Sequence, residues 1–169
     1  MNALILAANG FEDLELFYPW FRLREEGFEV HVAGANLEPL TGAHGYKVHP
    51  DLSVEEINEP AWDLLIIPGG TGIDALAENP TALTLVRTFL KDERRVVALG
   101  KGVQLLARAG MVAKRRIACT QSLVGEMTKA GARAKIDTVI FDGNLITCQG
   151  PAWLPELTSQ LLASFGLKA

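Results

Sequence analysis

The side chains able to do chemistry in this sequence are few, and their spacing excludes more than it offers. His31, His44 and His49 lack the i,i+4 helical spacing and the cysteine companions of a zinc site, so surface or structural roles are expected for them, and no metal or other cofactor is expected. Cys119 and Cys148 are too few for a disulfide framework and are expected to be reduced thiols. Glu15 lies between Leu14 and Leu16. Buried, it would be a carboxylate of raised pKa suited to proton transfer; on an open helix face it would reach solvent, and apolar periodicity favours the second reading. The last candidate is the turn Gly100-Lys101-Gly102, which follows an apolar run at 96–99 and precedes the helix formers at 104–108.

A strand, turn and helix in that order put the tip at the carboxyl end of a strand, where α/β proteins bind ligands. Three known chemistries use such an elbow and none is complete here. A dinucleotide fingerprint fails at Leu105, a phosphate-binding Walker loop fails at Arg95 and Gly102, and a nucleophile elbow needs Ser or Cys where Gly100 stands. The tip is therefore either a ligand-facing turn or a plain tight turn in which glycine relieves strain. A second strand-end turn, Pro68-Gly69-Gly70, follows the apolar run at 62–67.

These groups need elements to hold them. Strands are expected at 2–7, 28–33, 62–67, 96–99, 117–119, 138–141 and 145–148, the last two joined through Asp142-Gly143, with a small hairpin near 46–48. Helices are expected from Phe11 to just before Gly27, at 53–56, 80–91, 104–108 closed by Gly110, 123–130 and 153–165. In the first, Leu14, Phe17, Tyr18 and Phe21 recur at helical spacing as the core face, and Pro19 is expected to bend it. Strands alternating with helices, without repeat or linker, indicate one α/β domain over 1–169 with a mostly parallel sheet covered on both faces.

Composition agrees: 49% hydrophobic and 21% charged residues suit a globular domain. The net charge of −4 argues against a nucleic-acid partner, and Arg94-Arg95 and Lys114-Arg115-Arg116 read as solvated rims. The apolar start is too short for a signal sequence and no run reaches the length of a membrane span, so a cytoplasmic protein is expected.

Four stretches in order, ANGFEDLELFYPW at 8–20, PGG at 68–70, ALGKGVQLLARAG at 98–110 and FDGNLITCQGP at 141–151, resemble the ThiJ/PfpI family over nearly the whole chain. The short PfpI-like members are most similar, a group associated with intracellular protease, glyoxalase, deglycase and stress-protection activities within the class I glutamine amidotransferase-like superfamily. The resemblance implies a flavodoxin-like three-layer sandwich and a homodimer or higher homo-oligomer. It places a nucleophilic cysteine at the elbow apex, a histidine after it, and a helix glutamate against the cysteine; those positions are Gly100, Lys101 and Glu15 here. An acidic residue supplied across an oligomer contact would correspond to Asp74. The pocket side chains after the next strand and before the late Gly-Pro fall at Thr120 and Gln149, beside Gly69, Gly70 and Gly102.

Glycine offers no nucleophile, so thiol chemistry at the apex is lost. Lys101 opposes the helix dipole by roughly 0.3–1 kcal/mol and is expected to snorkel to water, the alternatives being a pair with Glu15 or with a bound anion. The preferred reading is a non-catalytic relative that binds a small anionic metabolite at the elbow or a partner through its dimer surface. The alternative is a hydrolase, glyoxalase or deglycase whose nucleophile has moved to Cys119, one residue before Thr120.

Overall fold

Runs such as Ala3-Leu4-Ile5-Leu6 and Leu64-Leu65-Ile66-Ile67 have no polar alternation, and strands built from them must be covered on both faces. The computed structural model describes residues 1–58 and 61–167. Its first half contains β1 (Asn2–Leu6), α1 (Asp13–Glu25), β2 (Glu29–Gly34), the short β3 (Leu40–Thr41), β4 (Lys47–Val48) and β5 (Leu52–Ser53), β6 (Leu64–Ile67), α2 (Gly72–Ala77) and α3 (Pro80–Lys91). The second half contains β7 (Arg95–Leu99), α4 (Gly102–Arg108), β8 (Arg116–Ala118), α5 (Gln121–Lys129), β9 (Arg133–Lys135), β10 (Val139–Asp142), β11 (Leu145–Cys148) and α6 (Leu154–Ser164).

The main sheet has the order β10-β11-β7-β6-β1-β2-β5. Every neighbouring pair is parallel except β10 with β11, which fold back on each other through Asp142-Gly143. Alternate residues of the central strands feed two cores. Leu4, Leu65, Ile67, Val96 and Ala98 pack with Phe89, Leu105 and Met127, on the side of α3, α4 and α5. Ala3, Ile5, Leu64, Ile66, Val97 and Leu99 pack with Leu16, Leu23, Leu157 and Leu161, on the side of α1 and α6. The result is the expected flavodoxin-like sandwich of three layers, in which each buried Leu or Ile contributes about 1.5–3 kcal/mol of burial. Among the described residues no helix is long and apolar enough to cross a membrane.

Three expectations require correction. The face of α1 that carries Leu14 and Phe21 is not the core face: these side chains are 58% and 59% exposed, whereas Asp13, Glu15, Leu16, Pro19 and Leu23 are buried. Phe17 and Phe21 instead stack on each other and on Trp20, with Tyr46 edge-on to Phe17. Pro19 lies inside this helix, which continues past it to Glu25. Second, the strand expected at 117–119 lies outside the main sheet, paired in parallel with β9, which has little apolar signal of its own. Third, α2 was absent from the expected elements; it is a single short helix after the Pro68-Gly69-Gly70 turn.

Candidate functional site

The carboxyl ends of β6 and β7 meet the start of α1, and the site lies where they converge. Phe11 bridges Gly70, and the Glu12 amide donates to the Gly69 carbonyl at 3.0 Å. That contact brings α1's first turn against the glycine turn, so Glu15 points inward. It is 2% exposed, and its Oε2 accepts a hydrogen bond from the Gly69 amide at 2.6 Å. Periodicity had favoured a solvent-reaching carboxylate, and the structure reverses this because a backbone donor awaits the side chain inside.

Burial pushes the Glu15 carboxyl up to about 7; the Gly69 hydrogen bond pulls it down and the nearby Glu12 charge pushes it up. Near neutrality it is thus able both to give and to take a proton. Its Oε1 faces the elbow apex, where a Cβ built on Gly100 would lie 2.7 Å away. Gly100 has φ +48°, a left-handed backbone that glycine adopts without strain.

Around this carboxyl is a cavity of about 340 Å³. Six of the residues singled out in the sequence line it: Glu15, Gly70, Gly100, Lys101, Thr120 and Gln149. Gly69 contributes its amide, and Gly102 is buried at the start of α4. Lys101 is exposed and makes no ion pair among the described residues, as a snorkelling lysine would. Glu12, Ser122, Gly150 and Pro151 complete much of the wall and were not foreseen, although Glu12 stands one helical turn before Glu15. Thr120 Oγ1 and Ser122 Oγ lie 2.9 Å apart at the start of α5.

Two candidates fall outside. Asp74, expected to act across an oligomer contact and not within its own protomer, is exposed on α2 and lines a different groove, with Gln104, Arg108 and Glu126. Cys119 is fully buried in the core beneath α4 and α5, and burial pushes its thiol up, the opposite of what a nucleophile requires. The structure therefore does not support the relocated nucleophile. Cys148 is also fully buried, its thiol pushed up to about 11 by burial. Both thiols are expected to resist a disulfide reagent in the native protein and to react in full after denaturation, as read by absorbance of the released thiolate; fast native labelling of Cys119 would restore its candidacy.

A residue the sequence did not reveal is Asp13, which is 4% exposed. Its carboxylate accepts the backbone amides of His44 at 2.8 Å and Tyr46 at 3.1 Å, clamping the β3–β4 hairpin to α1. His44 Nδ1 lies 3.3 Å from Asp13 and 3.6 Å from Glu12, the one described group of side chains close enough to hold a metal ion. With both Asp13 oxygens already accepting amides, the arrangement reads as a loop clamp. His31 sits edge-on to Trp62, and His49 is exposed, as surface roles require.

The model of the DJ-1/PfpI family matches residues 1–164. An uncharacterized protein of Archaeoglobus fulgidus is 42% identical over 162 residues, 96% of each chain. A protein named a deglycase from Thermococcus kodakarensis is 36% identical over 95% of this chain and 99% of its own. Among solved structures, a two-domain protein from Anabaena variabilis with DJ-1/ThiJ/PfpI-like and ferritin-like domains superposes with a TM-score of 0.96 at 28% identity, over 99% of this chain and 50% of that one.

Proposed function

The chain belongs to the DJ-1/PfpI family, and from that premise we propose that it binds small neutral carbonyl compounds in the Glu15 pocket without thiol catalysis. The observation that carries this reading is the apex: Gly100 supplies no nucleophile, and the Glu15 carboxyl stands over the space that a side chain there would need. A carboxyl near its midpoint at neutral pH is a good partner for a carbonyl oxygen, donating when protonated. Charge argues for a neutral ligand over the anionic one expected from the sequence. Glu12 and Glu15 face only Lys101 as a cation in the lining, and α4 is too short to supply a strong N-terminal field.

The name deglycase borne by the Thermococcus relative supports the alternative that catalysis persists. Among the described residues the only two thiols are buried, so such catalysis would have to use Glu15 and Lys101. Two buried, unpaired cysteines also fit the proposed cytoplasmic location. For the proposed homodimer, the exposed Leu14 and Phe21 beside the half-buried Phe17 form the surface whose burial would gain most.

Loss of methylglyoxal, followed by absorbance, tests the reading. The wild type is expected to be flat, and Gly100→Cys to gain turnover on the order of a hundredfold above that background. The new Cβ meets only the far end of the Glu15 side chain, and the left-handed backbone at φ +48° adds a penalty of about 1 kcal/mol. Wild-type turnover equal to that of Gly100→Cys would overturn the proposal.

A further inference from the structure

A second cavity, of about 200 Å³, adjoins the Glu15 pocket and shares Thr120, Gln149, Gly150 and Pro151 with it. Its far wall is Trp153. The indole is held in place: Nε1–H donates to Gln149 Oε1 at 3.2 Å, while 38% of the residue remains exposed. Spending that bond leaves the Gln149 amide NH₂ available to a ligand. Thr120, common to both cavities, has its Oγ1 2.9 Å from the Oγ of Ser122, which lines the Glu15 pocket.

A ligand spanning both cavities therefore meets a carboxyl at one end, neutral hydroxyl and amide groups along its middle, and an aromatic face at the other end. No charged side chain lines the second cavity. The lining of the second cavity is mostly apolar, with Thr120 and Gln149 as its polar side chains, so an occupant must offer an apolar face as well as hydrogen-bonding groups, and an anion finds nothing to pair with. A neutral chain of hydroxyl-bearing carbons fits both requirements, because its oxygens bond to the wall while its C–H edge lies on the indole ring.

We propose that the joined cavities bind a short aldose, the C1 oxygen of its hemiacetal or open-chain form beside Glu15 and its hydroxylated carbons against Trp153. The proposal rests on the reading of the Glu15 pocket as a carbonyl site and extends it by a subsite that fixes ligand length. Trp153 is here a specificity-determining residue, and Gln149 positions it.

Ligand-observed saturation-transfer NMR with D-ribose and with glycolaldehyde separates the two claims, since glycolaldehyde is too short to reach the indole. Wild type is expected to bind both, with saturation of ribose strongest at the protons far from C1. Trp153→Ala is expected to weaken ribose about five- to tenfold and to leave glycolaldehyde unchanged. Trp153→Phe keeps an aromatic face and should retain most ribose affinity, which guards against a trivial loss of folding. Equal weakening of both sugars in Trp153→Ala, or ribose binding unchanged by it, overturns the subsite. Wild type that binds glycolaldehyde but not ribose overturns the subsite alone; wild type that binds neither overturns it together with the carbonyl-pocket reading.

Discussion

Glu15→Gln is expected to stabilise the protein above pH 7 and to flatten its stability profile between about pH 4.5 and 7. The carboxyl titrates near 4.5 when the chain is unfolded and near 7 when it is folded, so across that window the folded state holds the extra proton. Stability contributed by the protonated form is complete below the lower value and is lost as pH rises through the upper one. The displacement corresponds to about 3 kcal/mol once both states are ionised. Glutamine keeps an oxygen to accept the Gly69 amide and carries no charge to desolvate, so it recovers most of that loss. For a chain of 169 residues the gain amounts to roughly 5–10 °C in Tm at pH 8. Thermal melts of both proteins from pH 5 to 8 check it, and parallel profiles would show that burial of Glu15 costs nothing. The same variant should bind carbonyl probes with an affinity that no longer changes near pH 7, because the titrating group is gone.

The second large effect belongs to the backbone. Gly70→Ala is expected to cost about 4 kcal/mol or more in denaturant unfolding, an unusually large loss for adding one methyl group. Gly70 has φ +93°, and its new Cβ would run into the Gly10 carbonyl and lie 2.7 Å from the Glu12 amide. None of those atoms is the movable end of a side chain, so relief requires separating the turn from α1. Gly45→Ala is the control. Its φ of +89° carries the same local penalty, but nothing lies within 4 Å of the added atom, so about 1 kcal/mol is expected. Equal costs at the two positions would show that backbone conformation, and not close approach, sets the price.

The parallel sheet was legible because its central strands are continuous apolar runs, and the pocket was legible because turns at strand ends are marked by glycine. Gly100, Lys101, Thr120 and Gln149 all reach the cavity that the motif order implied. The orientation of α1 was not legible. Apolar spacing puts Leu14, Phe17, Tyr18 and Phe21 inside, but amides from Gly69, His44 and Tyr46, all distant in sequence, draw Glu15 and Asp13 inward and leave Leu14 and Phe21 outside. Hydrogen bonds of that kind leave no periodic trace in the helix that accepts them. β9 was missed for a related reason: Arg133-Ala134-Lys135 has no apolar run, and it becomes a strand only through its partner β8. Cys119 was drawn toward the site by its place one residue before Thr120, yet in the segment that follows β8 the Cys119 side chain is fully buried in the core and only Thr120 lines the cavity.

Around the pocket, main chain rests on main chain. A Cβ on Gly69 would lie 2.7 Å from the Lys101 amide, and one on Gly102 would press on the Ile67 carbonyl, so these loops are braced by their backbones. The residue at 100 is not among the braces, since its absent side chain would meet only the tip of Glu15. A side chain at position 100 would carry a left-handed-backbone penalty of about 1 kcal/mol and displace the tip of Glu15, but it would not push the neighbouring main chain apart. In a fold braced this way, the residue at the apex and the residues that hold the frame are set apart from each other.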